Sequence, residues 1–119
     1  MGEAVFYVFE VGIREGQLDN LKAVMNDMSD ATKANEPGTI DYQWFVSPDE
    51  TTCHVFERYA SSNALLAHLK YVKEHFSERL WSTIEAKHLT VYGAPDDEMR
   101  KTLGALGAVF MGPIGGFSR

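Results

Sequence analysis

Histidine takes and returns a proton at neutral pH because its ordinary pKa is about 6.5. Three of the four histidines stand among residues suited to handling a small molecule. His68 and His75 are seven apart in a stretch of helical periodicity, so they point the same way to within about 20°. Each lies at the edge of an apolar stripe through Leu69, Val72 and Phe76, where a side chain reaches the cleft between helix and sheet. His54 lies in a run that reads as a strand, on one face with Phe56 and Arg58. Glu57 takes the other face with Val55 and Tyr59, and only one of the two sets can meet the helices. Tyr42, Trp44, Tyr7 and Trp81 offer aromatic surface to stack on a planar substrate, and Tyr42 adds a phenolic hydrogen-bonding group. One base, one donor and an aromatic-lined pocket suffice to deprotonate a bound molecule away from water. Each residue also has a plain structural reading: a boundary histidine with a solvated tip, a Glu57 ion pair across the sheet, aromatic core.

These residues need a scaffold. Ala4 to Ile13 is apolar on both faces, which marks a central strand buried from two sides. Glu15 to Asn35 carries Leu18, Leu21, Met25, Met28 and Thr32 at helical spacing, widened by Val24, and its methionines read as core. Glu36-Pro37-Gly38 stops that helix. From Thr39 to Val46 the chain alternates, with Ile40, Tyr42, Trp44 and Val46 on one side. Ser47-Pro48-Asp49-Glu50 makes a turn, and Cys53 to Tyr59 is the return strand. Ser61 or Ser62 caps a second helix running to about Ile84, with a kink conceivable at Lys70–Lys73. Ala86 to Gly93 is a fourth strand. The order β-α-β-β-α-β is the ferredoxin-like arrangement, an α+β fold with an antiparallel four-stranded sheet and both helices on one face. After Gly93 an extension offers a short helix from Pro95-Asp96-Asp97-Glu98 and a short strand at Ala108–Met111. Its tail, with Phe110, Met111, Ile114 and Phe117, is too apolar to float free: it covers its own sheet edge or crosses to a partner.

At 119 residues the chain reads as one domain, residues 1–119, with a core over 4–93 and the extension over 94–119. A hydrophobic content of 45% and charged content of 24% match an ordinary globular protein. The net charge of −6, with no basic run, argues against nucleic acid or an anionic membrane as partner. Cys53 is alone, so no disulfide framework or cysteine metal site exists, and a cytoplasmic location is expected. The N-terminus carries Glu3 and no basic segment, unlike a secretory signal, and Phe6 stands where myristoylation after Gly2 wants Ser or Thr. Two-turn separation of His68 and His75 disfavours a shared metal, and no glycine-rich phosphate loop follows a strand. No metal or cofactor is expected.

The E-P-G before a strand, Tyr42 four residues beyond Gly38, the V-F-E-R-Y strand and the A-L-L-A-H-L helix together resemble the antibiotic biosynthesis monooxygenase family. The resemblance runs from about Val5 to Gly93 and implies the dimeric α/β-barrel superfamily, in which two sheets pack face to face as a homodimer. The doubly apolar first strand agrees with it. The family includes oxygenases that act on anthrones, quinols and electron-rich phenols without metal or flavin, haem-degrading enzymes, and members with no known activity. The haem-degrading pattern of a first-strand Asn and a late-helix His is absent here: Val5–Val8 has no Asn and the helix position falls near Leu80. The resemblance favours His68 and His75, whose A-H-L and H-F contexts occur in quinol-oxidising relatives, and Glu57 and Tyr42 by position. The expected function is therefore a cofactor-independent monooxygenase of a small phenolic, quinol or anthrone-like compound. Its catalytic candidates are His68, His54, Tyr42 and Glu57, and its substrate-binding candidates Tyr7, Trp44, His75, Phe76 and Trp81. The alternative is a non-catalytic dimer that binds a small hydrophobic ligand.

Overall fold

β1 (Val5–Ile13) is the strand on which the sheet is assembled. In the computed structural model, which describes residues 4–119, it pairs antiparallel with β3 (Thr52–Tyr59) on one side and β4 (Ile84–Gly93) on the other. Met1, Gly2 and Glu3, on which the targeting reading rests, lie outside the described residues. β2 (Thr39–Val46) borders β3, and β5 (Val109–Met111) lies parallel to β4, giving the order β2-β3-β1-β4-β5. The four antiparallel strands and their helices form the expected ferredoxin-like fold. β5 covers the β4 edge, which would otherwise present unpaired backbone groups.

Alternation along β1 sends Val5, Tyr7 and Val11 into the core and leaves Phe6 and Val8 on the opposite face. α1 (Leu18–Asn35) buries Leu21, Val24, Met28 and Thr32, the stripe read from the sequence. It ends where the Glu36 amide donates to the Thr32 carbonyl at 2.9 Å, because Pro37 bars helix at the residue before it. Gly38 then passes so close to the next helix that a Cβ there would sit 2.7 Å from the Ala64 Cβ. Only glycine lets turn and helix meet this tightly.

β2 departs from simple alternation. The pairing slips between Thr39, opposite Tyr59, and Asp41, opposite Arg58. Ile40 is the extra residue of this bulge and is 52% exposed, rather than sharing an inner face with Tyr42. Beyond it Tyr42 and Trp44 pack inward. The turn that follows is held by Asp49, which accepts hydrogen bonds from the Ser47 and Thr51 hydroxyls at 2.7 and 2.8 Å.

The second helix also differs from expectation. α2 (Ser62–His75) is capped by Ser61, whose hydroxyl accepts from the Ala64 amide at 3.2 Å, and it passes unbroken through Lys70–Lys73. It stops at His75 instead of continuing to Ile84. Phe76 leaves helical geometry at φ −128°, ψ −9°, α3 (Ser77–Trp81) resumes for one turn, and Ile84 opens β4. Phe76, Leu80 and Ile84 continue the helical period in sequence yet pack into one core cluster from the α2–α3 junction, α3 and β4. α4 (Asp97–Gly104) is capped by Asp96, which accepts from the Met99 amide at 2.9 Å. The Asp96 amide in turn donates to the Ser62 hydroxyl at 3.1 Å, pinning the start of α4 to the start of α2. Ile114 and Phe117 of the tail remain exposed.

The helices cover one face of the sheet and bury two apolar clusters. One, around Tyr59, Leu65, Met99 and Leu103, lies under α2 and α4; the other, around Val11, Leu21, Met28 and Ile84, lies under α1 and α3. Phe9 packs against both.

Candidate active site

Strand register puts three polar side chains in a row. Glu57 at the middle of β3 stands opposite Tyr7 of β1 and opposite Tyr42 of β2, so all three project toward the helices. Tyr59, two residues along β3, projects the same way. The Tyr7 hydroxyl donates to Glu57 Oε1 at 2.7 Å, and the Tyr59 hydroxyl donates to the same oxygen. α2 lowers His68 onto this row: its Nε2 lies 3.3 Å from Glu57 Oε1 and its Nδ1 lies 2.8 Å from Glu36 Oε1. The Glu36 oxygen also accepts from the Thr39 hydroxyl at 3.2 Å.

An imidazole with a carboxylate at each nitrogen is in the environment that favours imidazolium. Burial pulls His68 down, but the hydrogen bond and charge of Glu57, joined by Glu36, outweigh it and hold the group above its ordinary value. Burial, then the negative charge of Glu57, pushes the Tyr7, Tyr42 and Tyr59 phenols well above theirs. The tyrosines are therefore neutral donors, not bases. Every hydrogen bond to Glu57 among the described residues ends on Oε1, so Oε2 is the oxygen left to the adjoining space.

That space is a cavity of about 550 Å³ between the sheet and α2, α3 and α4. Tyr7, Glu57, His68 and Tyr42 form its polar end; Phe9, Met28, Trp44, Val72, Trp81 and Leu106 are prominent in its walls. Tyr42 meets the edge of His68 at 5.1 Å between ring centroids and packs on Trp44 at 5.7 Å. The volume suits a small polycyclic molecule, since ligand pockets run from about 300 to 1,000 Å³. Among the described residues, no group of three His, Cys, Asp or Glu side chains is arranged to hold a metal ion.

Residues 4–78 share more than a fold with known proteins. The profile of the antibiotic biosynthesis monooxygenase family matches residues 4–78, well over half of the chain. The chain belongs to that family. Among solved structures it is similar to MupZ from Pseudomonas fluorescens at 25% identity over 98% of this chain and 95% of that one, with a TM-score of 0.87. SnoaB from Streptomyces nogalater, a cofactor-independent oxygenase, superposes with a TM-score of 0.64 at 12% identity, covering 79% of this chain and 95% of its own. A Caulobacter crescentus protein provisionally assigned to the family gives 0.66 at 24% identity, covering 80% and 91%. The likeness to MupZ includes the extension after β4. No curated protein matches the chain in sequence.

Within this family member, the sequence candidates divide. Tyr7, Tyr42, Trp44, Glu57, His68 and Trp81 all line the one cavity. His54 does not. Strand parity sends it to the outer sheet face, where its side chain is 51% exposed and 3.5 Å from Glu10. His75 ends α2 with its side chain 52% exposed beside Glu74 and Tyr71, outside the cavity. A seven-residue spacing aligns it with His68 in angle, but two turns carry it past the cleft. Phe76 packs on the core cluster under α1 instead of lining the cavity. Sequence reasoning gave Glu36 only the role of ending a helix and passed over Tyr59. The readable signal for Glu36 was its place just before Pro37, where the extended backbone turns an acid away from the helix surface.

Proposed function

We propose that this protein is a cofactor-independent monooxygenase of a small phenolic, quinol or anthrone-like compound. The observation that carries the reading is the Glu57 carboxylate at the polar end of an apolar cavity, held by two tyrosine hydroxyls and His68 with one oxygen open to the cavity. In this reading Glu57 Oε2 takes the substrate proton, and His68 and the tyrosines offset the charges that change. The Tyr42 hydroxyl donates to the substrate oxygen as it becomes anionic. The anion passes one electron to dioxygen, and the resulting pair recombines to a carbon–oxygen bond inside walls that exclude water. For an anthrone the balance is a CH₂ group and O₂ going to a carbonyl and water. SnoaB, of the same fold, is an oxygenase without a cofactor, which supports this choice of chemistry.

The test is dioxygen uptake by purified protein with an anthrone and a reduced naphthoquinone, in the presence of a chelator. Uptake above the heat-killed control that the chelator leaves intact is expected. No uptake with either compound moves the reading to a dimer that binds a hydrophobic ligand without turning it over.

The outer sheet face supports a homodimer. There Phe6 stacks on Tyr92 at 4.9 Å and packs against Phe56 at 5.8 Å, and Phe45 is 55% exposed. A second copy of this face is the natural cover for an aromatic patch that no helix among the described residues reaches. Sedimentation is expected to give the mass of two 13.3 kDa chains, and Phe6→Asp to give one. A wild-type monomer at all accessible concentrations sinks the dimer.

A further inference from the structure

The cavity has a second polar set that the oxygenation chemistry leaves unused. Lys73 of α2, Ser77 of α3 and Thr102 of α4 line it alongside the exposed Trp81 and Leu106, so they mark its mouth. Glu57 and His68, 4% and 2% exposed, mark its floor. Lys73 comes five residues after His68, about 7.5 Å farther along the helix axis. Among the described residues Lys73 makes no ion pair, and neither the Ser77 nor the Thr102 side chain makes a hydrogen bond. It is also the one lysine or arginine among the residues lining the cavity; the cavity's one carboxylate, Glu57, is at the far end, where it is paired with His68.

We infer that Lys73, with Ser77 and Thr102, binds an anionic group such as a carboxylate on an otherwise apolar substrate. The molecule then has a planar apolar body, a reacting end and an acidic end, and only one orientation satisfies the cavity. Glu57, backed by Glu36, repels an anion from the floor, while an ammonium and two hydroxyl donors receive it at the mouth. The protein's net charge of −6 gives an anion no general attraction, so a preference for one is a local property of this mouth. The inference rests on the reading of this cavity as the substrate site.

A matched pair of fluorescent probes tests it without turnover: 8-anilino-1-naphthalenesulfonate, and N-phenyl-1-naphthylamine, which has the same rings and no sulfonate. At low salt the wild type is expected to bind the anionic probe about fivefold more tightly than the neutral one, the scale of a partly exposed ion pair. Lys73→Gln removes the preference and leaves neutral binding unchanged; Lys73→Arg retains it. Lys70→Gln, one helical turn back and outside the cavity, has no effect. Equal affinities in the wild type, a preference that survives Lys73→Gln, or the same loss in Lys70→Gln overturns the inference. Failure here is separable from failure of the oxygenase reading. Dioxygen uptake without a charge preference removes the anion site alone, and a charge preference without uptake removes the oxygenase alone.

Discussion

Glu57→Gln is expected to lower turnover by about 10² to 10⁴, the range for loss of a positioned acid–base group, while the protein stays folded. The amide keeps the shape of the carboxylate, and its oxygen still accepts from the Tyr7 and Tyr59 hydroxyls. It cannot take a proton from the substrate. It also removes the stronger of the two influences that favour the imidazolium of His68, so the His68 pKa falls in the same variant. The loss belongs in kcat rather than KM, because the apolar walls that hold the substrate are untouched. Glu57→Ala is the less informative change. It strands two buried hydroxyls and a buried imidazole, and breaking such a set costs about 3–5 kcal/mol, a large part of the roughly 5–15 kcal/mol that holds an ordinary domain folded. The measurement is steady-state dioxygen uptake beside a thermal melt. A folded Glu57→Gln protein with wild-type turnover would place the base elsewhere.

The row on which this depends was half visible in the sequence. Alternation placed Glu57 with Val55 and Tyr59 on one face of β3 and His54 on the other, and the structure keeps that division. It did not say which face meets the helices, since aromatic residues occupy both. Nor did it align Tyr7 with Glu57, because register across strands is set by long-range packing. The break at Phe76 was hidden for a related reason. Phe76, Leu80 and Ile84 keep the helical period, and no proline or glycine interrupts them, so local pattern alone continues the helix to Ile84. The break follows from Leu80 and Ile84 entering the core from different elements, a demand that comes from the sheet. Ile40 shows the same limit: period two fits it inside, and the bulge at the strand's start leaves it half exposed. What the sequence carried well was element order, helix caps and the family pattern. What it lacked was Glu36 beside His68, thirty-two positions apart and joined only by folding.

Because His68 gains two carboxylate partners on folding, it ties stability to pH in a range below that of the buried thiol and phenols and above that of Asp49. Its folded pKa lies above its unfolded value of about 6.5, so below that pH both states hold the proton and the full contribution is present. As pH rises past about 6.5, the unfolded chain releases the proton while the folded one retains it, and unfolding becomes easier. The fall continues until pH passes the folded pKa, where the contribution is gone. One proton limits the slope to about 1.4 kcal/mol per pH unit. Cys53, pushed up to about 11 by burial, and the buried tyrosines lower stability in the same sense only at more alkaline pH, starting near 9 for the thiol. The window from pH 6 to 8 therefore isolates the histidine. Denaturant titrations across it are expected to show wild-type stability declining with pH, and His68→Gln showing a flatter profile from a lower starting value. Should that variant fail to fold, the wild-type His68 imidazole resonance followed by NMR gives the answer directly. Titration at or below the ordinary histidine value would mean that burial outweighs Glu36 and Glu57. The proton at the floor of the cavity would then be held by the carboxylates alone, and the charge compensation assigned to His68 would have no source.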